Sequence, residues 1–138
     1  MNDDEFEIRA LMATYAVDGD RGRMDSLINC FALDGSLSFP GANVKGREEI
    51  LTVLTSGERD PQLTRVRHHL TTSHINLVSK SVAKGRTYFL VISNIGPDHS
   101  GVYVDEFEKT DRSWLIKRRD VRIDWQSPSS LFRRFDQL

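Results

Sequence analysis

Residues 85–95 read Gly-Arg-Thr-Tyr-Phe-Leu-Val-Ile-Ser-Asn-Ile, a run of β-branched and aromatic residues that is typical of a β-strand. Three other segments share this composition and alternate with period two: residues 64–78, 101–110 and 113–125. The connections between the four segments are short and contain turn residues. They are too short for crossover helices, so the sequence predicts four strands joined as an antiparallel meander.

The part of the chain before residue 61 has the periodicity of amphipathic helices. Two apolar stripes recur at i, i+3, i+4 and i+7: Ile8, Leu11, Met12 and Tyr15, and then Met24, Leu27, Ile28 and Phe31. We expect the second helix to stop at the turn dipeptide Asp34-Gly35. A short strand at residues 37–39 and a third helix from residue 46 to about residue 57 follow. Three helices before a run of strands predict an α+β fold.

The composition excludes several classes of function. The length of 138 residues predicts one domain over residues 1–138, and 19 Lys+Arg against 20 Asp+Glu argue against nucleic-acid or anionic-membrane partners. Cys30 is the only cysteine, which excludes an internal disulfide and a Cys-rich zinc site. A single cysteine fits a reducing cytoplasm best, and an acidic start together with the lack of an apolar run of about 18–20 residues predicts a soluble protein.

Four histidines are the most informative candidates for chemistry, because imidazole titrates near neutrality: His68, His69, His74 and His99. On an extended strand His68 and His69 point to opposite faces. His68 and His74 would share a face but lie roughly 20 Å apart, so one strand cannot assemble a metal site from them. We expect no metal ion. The sequence has no Gly-rich phosphate loop, dinucleotide motif or nucleophile elbow, and we expect no cofactor.

Two aspartates and a tyrosine lie where the first helix ends. Asp18 or Asp20 could cap the second helix or the turn between the helices, or could orient a histidine and stabilise its imidazolium form. Tyr15 could pack in the core, or its phenol could donate to a developing oxyanion. The basic run at residues 117–119 is typical of a solvated face, although one or two of its side chains could point into a pocket.

Taken together, these segments resemble the SnoaL-like branch of the nuclear transport factor 2-like superfamily, which includes scytalone dehydratase, bile-acid dehydratase and relatives of ketosteroid isomerase. The resemblance rests on Tyr15-x4-Asp20, the spacing from Asp20 to Phe31 and Asp34-Gly35, the helix start at residues 45–50, Arg67-His-His-Leu and the strand at residues 113–119. It implies a cone in which a curved antiparallel sheet wraps the helices around a deep apolar pocket, a cystatin-like fold. It also implies a homodimer or homotrimer.

The resemblance also assigns site residues. Asp20 takes the place of the family's aspartate, Tyr15 that of the tyrosine on the first helix, and His68 that of the histidine, with His69 kept as the alternative one residue away. The strand at residues 88–94 lacks the second histidine of scytalone dehydratase. The candidate substrate-binding residues are Phe39, Tyr88, Asn94 and Arg119.

Two functions follow from the resemblance. The first is a small cofactor-independent lyase or isomerase that acts on a hydrophobic ring compound such as a steroid, a polyketide or an aromatic metabolite. The second is a non-catalytic ligand-binding or assembly subunit similar to the β subunits of ring-hydroxylating dioxygenases. In either case Leu131, Phe132 and Phe135 of the tail are expected to form a last helical turn that docks on the body or on another subunit.

Overall fold

A computed structural model describes residues 3–111 and 113–136 of the chain. These residues form three helices and six strands; two strands lie between the second and third helices, and four follow the third helix. The helices are α1 (Asp3–Asp20), α2 (Met24–Ile28) and α3 (Arg47–Thr55). The strands are β1 (Phe31–Phe39), β2 (Ala42–Lys45), β3 (Arg67–Leu77), β4 (Val82–Ser93), β5 (Gly96–Thr110) and β6 (Ser113–Gln126). They form one sheet in the order β2-β1-β6-β5-β4-β3, antiparallel except for the parallel pair β1 and β6.

The α+β fold and the meander from β3 to β6 are confirmed, but the prediction for the segment around Phe31 is wrong. Helix α2 ends at Ile28, and Phe31 begins a strand in which it pairs with Ile116 and is fully buried. The predicted turn at Asp34-Gly35 lies inside β1, where the register shifts before Ser36. Helical spacing misled here because Phe31 faces the same core as α2 from a strand.

The core lies between the helices and the concave face of the sheet. Ile8 of α1 packs with Phe31, Phe107 and Ile116, and all four side chains are fully buried. At the opposite end of the sheet, the register of β5 against β6 shifts at Gly101. A Cβ atom at Gly101 would lie 1.9 Å from the carbonyl oxygen of Arg122, so only glycine allows the strands to approach this closely.

One cross-strand row of the sheet determines where the histidines lie. His68 on β3 pairs with Val91 on β4, which pairs with His99 on β5, which pairs with Gln126 on β6. His68, Val91 and His99 point to the concave face, because residues opposite each other on neighbouring strands share a face. Since neighbouring strands lie about 4.8 Å apart, His68 and His99 are separated by about 10 Å along this row.

The tail after β6 is irregular, so the predicted helical turn is wrong. It folds back onto its own chain. The rings of Phe132 and Phe135 lie 4.7 and 5.0 Å from the ring of His99, and Gln126 bonds to the backbone of Arg133 and Phe135. These contacts account for two of the apolar tail residues without a second subunit. Among the described residues, no helix is long and apolar enough to cross a membrane.

Candidate active site

The last residue of α1 and the second residue of β3 form a carboxylate–imidazole pair. One oxygen of Asp20, Oδ1, lies 2.6 Å from Nδ1 of His68, and the other, Oδ2, accepts the backbone N–H of His68 at 2.8 Å. The side chain of Asp20 is 8% exposed and that of His68 is 30% exposed. Because a carboxylate only accepts, Nδ1 carries the proton and Nε2 is left as the basic atom. Both carboxylate oxygens therefore hold one tautomer and one orientation of the ring.

The electrostatics of Asp20 favour its charged form. Burial would raise the pKa of this carboxyl, but the hydrogen bonds from the side chain and backbone of His68 outweigh it and lower the pKa below its usual value. Asp20 is thus ionised at neutral pH and can stabilise an imidazolium ring. Asp18 does not cap α2, whose N-cap residue Arg23 has no side-chain capping bond; its carboxylate instead accepts a hydrogen bond from Ser26 of α2 and joins the two helices.

The other two histidines of β3 lie on the opposite face of the sheet. His69 is exposed there, as the alternation predicts, and has no place beside Asp20. His74 is also on the outer face, so the prediction that it shares a face with His68 is wrong. The physical reason is a bulge: the register of β3 against β4 shifts between Leu70 and Ser73, and one extra residue inverts the facing of all those that follow.

Arg119 on β6 and Asp105 on β5 lie opposite each other and form a fully buried ion pair. Nε and Nη2 of Arg119 each lie 2.9 Å from an oxygen of Asp105. The guanidinium lies between the rings of Tyr15 and Tyr103, at 4.4 and 4.1 Å from their centroids, and we call these four residues the arginine cluster. Nη1 of Arg119 has no hydrogen-bond partner among the described residues. Burial raises the pKa of the Tyr15 phenol, which keeps it a neutral donor.

The remaining candidate substrate-binding residues are dispersed. Phe39 is half-buried at the end of β1, beneath the guanidinium of Arg133. Tyr88 is 50% exposed and points to the outer face of β4, away from His68, because it alternates with the buried residues Thr87 and Phe89. Asn94 is exposed, and its side chain bonds to Thr64 and the backbone of Arg65. The structure thus gives Asn94 a loop-holding role and places Tyr88 outside this site.

A second carboxylate–imidazole pair, Asp98 and His99, lies near the start of β5. Nδ1 of His99 lies 2.8 Å from Oδ1 of Asp98, and the two side chains are 6% and 0% exposed. Asp98 also accepts hydrogen bonds from the hydroxyls of Ser93 and Ser130 and from the backbone N–H of Leu131. Although burial would raise the pKa of Asp98, these bonds lower it. The sequence interpretation missed this pair because it took residues 96–98 for a turn between two strands, whereas β5 begins at Gly96 and buries Asp98 and His99.

Two surface clefts lie away from Asp20 and His68. One, of about 360 Å³, lies between α1 and the start of β6. The other, of about 350 Å³, lies between β6 and the tail, and Ile123 and Phe135 are among its lining residues. Neither is lined by Asp20 or His68. The apolar pocket expected around this pair therefore stays a prediction.

Comparison with known proteins gives one family match and several structural matches. A family model described as SnoaL-like domain matches residues 2–120. A solved structure described as a candidate scytalone dehydratase from Novosphingobium aromaticivorans is 25% identical, with a TM-score of 0.80 over 94% of this chain and 89% of that one. A protein of unknown function from Mycobacterium tuberculosis is 28% identical, with a TM-score of 0.76 over 88% and 72% of the two chains.

A match of lower sequence identity shows only that the fold is shared. The hexachlorocyclohexane dehydrochlorinase LinA-type3 from Novosphingobium barchaimii is 19% identical, with a TM-score of 0.78 over 95% of this chain and 94% of that chain. Other neighbours are described as having a cystatin-like fold, which agrees with the architecture. A search of curated proteins finds no significant match.

Proposed function

The chain belongs to the SnoaL-like domain family, and from that premise we propose that it is a small lyase or isomerase that works by histidine–aspartate acid–base chemistry without a cofactor. The observation that carries the proposal is the two-point hold of Asp20 on His68, through Nδ1 at 2.6 Å and the backbone N–H at 2.8 Å. A turn-capping aspartate needs neither contact. A general base needs both a fixed tautomer and a defined direction for its free nitrogen.

The proposed reaction begins with proton removal from a carbon next to a carbonyl group. Nε2 of His68 takes the proton, and the electron pair of the C–H bond moves toward the carbonyl oxygen to give an enolate. Asp20 stabilises the resulting imidazolium. The enolate then either expels a leaving group from the neighbouring carbon, which is elimination, or takes the proton back at another carbon, which is isomerisation.

The arginine cluster is the proposed source of oxyanion stabilisation. The phenol of Tyr15 is a neutral donor, and the Arg119 guanidinium over its ring adds positive charge nearby. Nη1 of Arg119, without a partner among the described residues, is a second available donor. In this proposal the substrate is a hydrophobic ring compound, as the family resemblance implies.

The proposal is tested by deuterium exchange, which does not require the natural substrate. The protein is incubated in D₂O with cyclic ketones, from 2-tetralone to a 3-ketosteroid, and deuterium next to the carbonyl is measured by mass spectrometry. We expect exchange faster than in buffer for at least one ketone, and its loss in His68→Ala. The absence of protein-dependent exchange, or exchange unchanged in His68→Ala, would contradict the proposal.

A second candidate function is a ligand-binding or assembly subunit. It is favoured by the full burial of the Arg119–Asp105 pair against the rings of Tyr15 and Tyr103, and by the position of both surface clefts away from His68. Tight binding of ring compounds without any exchange would support this function over the enzymatic one.

We also propose that the protein forms a homodimer or homotrimer. The outer face of the sheet carries large exposed side chains, with Tyr88 50% and Trp125 46% exposed. The tail no longer supports this proposal, since Phe132 and Phe135 pack on their own chain. Light scattering should give a multiple of the 15.8 kDa chain mass, and a monomer at micromolar concentration would contradict it.

A further inference from the structure

Helix α1 carries an apolar stripe on the face that it turns away from the core. Phe6 is 64% exposed and Val17 is 54% exposed, and Ala10 and Ala13 between them are exposed as well. We call these four residues the exposed stripe. The buried residues of the helix lie on its opposite side. A helix that buries one face normally has a polar opposite face, so a second apolar face indicates a contact with a partner.

The exposed stripe has the spacing of a helix–helix contact. Its residues are separated by four, three and four positions, which keeps them in line when two α-helices cross at about 20°. The two alanines lie in the middle and the two large residues at the ends. Helices that cross at this angle approach most closely in the middle, where alanine leaves room. They separate toward the ends, where Phe6 and Val17 fill the wider gap.

The two ends of the exposed stripe carry charges of opposite sign. Asp3 begins α1, and Arg21 continues its last turn, since the backbone N–H of Arg21 bonds to the carbonyl of Val17 at 3.1 Å. Both charged side chains are exposed, and neither has a partner among the described residues. Asp18 and Asp20, near the same end as Arg21, already accept hydrogen bonds within the chain. The positive charge of Arg21 is therefore available to a partner.

These charges determine the direction of a second, identical helix. In an antiparallel pair centred between the two alanines, Phe6 of one copy lies opposite Val17 of the other, and Asp3 lies opposite Arg21. The twofold axis makes each of these contacts twice. A parallel pair would instead place Asp3 against Asp3 and Arg21 against Arg21. Size and charge thus both favour the antiparallel pair.

We propose that the exposed stripe of α1 binds the same stripe of a second copy of this chain, antiparallel and about a twofold axis. A membrane surface fits this face less well, because the charged residues within α1 are acidic except for Arg9, whereas membrane-surface helices carry Lys and Arg beside their apolar face. The interface is separate from the outer face of the sheet, and the inference does not depend on the proposed reaction.

Sedimentation velocity tests this interface. A contact of one helix per copy is at the small end of stable interfaces, so the measurement extends to about 0.5 mM protein. The wild-type mass should rise with concentration to about twice that of Phe6→Glu, which places a charge in the stripe. Leu33→Glu is the matched control, because Leu33 is 76% exposed but lies on β1, and it should associate as the wild type does. A wild-type mass equal to that of Phe6→Glu, or the same loss in Leu33→Glu, overturns the proposal.

Two further variants test the antiparallel direction. Arg21→Glu should weaken association by about threefold or more, because it places acidic groups opposite each other at both ends, and Asp3→Lys in the same chain should restore it. Under mild oxidation, a mixture of Phe6→Cys and Val17→Cys should give a disulfide-linked heterodimer, while Phe6→Cys alone should not cross-link. The native Cys30 is buried and does not compete. Failure of Asp3→Lys to restore association, or self-cross-linking of Phe6→Cys, overturns the proposal.

Tyr88→Glu separates this interface from the outer face of the sheet. If Tyr88→Glu lowers the mass and Phe6→Glu does not, copies meet through the outer face alone. This inference would then fail while the proposed homodimer or homotrimer stands. If Phe6→Glu lowers the mass, whether or not Tyr88→Glu also does, the result supports the contact through α1.

Discussion

The two carboxylate–imidazole pairs use the same hydrogen bond in different settings. In the first, Asp20 and His68 are 48 residues apart, and the imidazole is 30% exposed. In the second, Asp98 and His99 are adjacent, and the imidazole is 6% exposed and enclosed by the tail. Exposure of the first ring gives protons a route to and from solvent. Enclosure of the second favours a neutral ring, because burial opposes its charge.

The contrast indicates that a histidine–aspartate bond does not by itself define a role. What differs is the number of other groups that depend on the carboxylate. Among the described residues, Asp20 accepts hydrogen bonds from His68 alone, through two contacts, whereas Asp98 also holds Ser93, Ser130 and Leu131. We therefore expect substitutions in the first pair to affect turnover and substitutions in the second to affect stability.

The largest expected effect is on turnover in His68→Ala. Loss of the base should slow deuterium exchange by about 10²–10⁴-fold while the free energy of unfolding changes little, because the ring is partly exposed. The rate of exchange and the urea midpoint are measured on the same samples. His69→Ala, on the outer face of the same strand, is the control and should stay within about twofold of the wild type. The reverse pattern would make His69 the base.

Asp20→Asn should give the next largest loss. The amide keeps the shape but can present its N–H₂ to Nδ1, which favours the wrong tautomer, so exchange should fall by about tenfold or more with folding retained. The double variant Asp20→Asn with His68→Ala should lose much less of the exchange rate than the two single losses combined, since the two residues act as one unit. Asp18→Asn, whose partner is Ser26, should leave exchange near the wild-type rate. Near-wild-type exchange in Asp20→Asn would reduce this residue to a helix-end role.

Periodicity was sufficient for the fold where one face of an element is buried. Strands β4 and β6 and helix α3 lie close to the predicted positions, because alternation and helical spacing directly reflect burial. Periodicity failed at Phe31, where a strand follows a helix without a break in the apolar spacing. It failed again at His74, because a bulge depends on the partner strand and leaves no local signal in the sequence.

For the site, the family resemblance located Asp20 and His68, and the structure supplies their distance. It did not reveal that Arg119 is an interior residue paired with Asp105, since a basic run is usually solvated and the choice among its members depends on register. Nor did it reveal the Asp98–His99 pair, whose environment is built by tail residues some 30 positions away. Such long-range packing is set by tertiary contacts and not by the local sequence.

A smaller effect is expected on stability from Asp98→Asn. The side chain is fully buried and accepts four hydrogen bonds, and the amide cannot accept all of them. We expect a loss of about 1–3 kcal/mol in the free energy of unfolding, measured in urea, and faster proteolysis of the tail. Asp124→Asn, at an exposed position on β6, is the control and should be neutral. A neutral Asp98→Asn would show that the tail is held by its apolar contacts alone.

The smallest effect concerns the pH dependence of stability, and its sign follows from burial. The pKa of His99 is lowered in the folded state from the ordinary value of 6.5, so the folded protein binds fewer protons at this site than the unfolded chain. Stability should therefore fall as the pH drops below about 6.5, with a slope from this group of at most about 1.4 kcal/mol per pH unit. Asp98 and Asp20 have lowered pKa values, so their protonation reduces the free energy of unfolding only at more acidic pH, below the ordinary aspartate value of 3.8.

Urea titrations between pH 7 and 5 test this prediction. In His99→Asn the free energy of unfolding should decrease less steeply over this range than in the wild type, while His74→Asn, whose ring is exposed, should behave as the wild type does. If the free energy of unfolding of His99→Asn has the same pH dependence as that of the wild type, the ring of His99 is protonated within the folded protein. The contrast between an exposed and an enclosed imidazole would then no longer distinguish the two pairs.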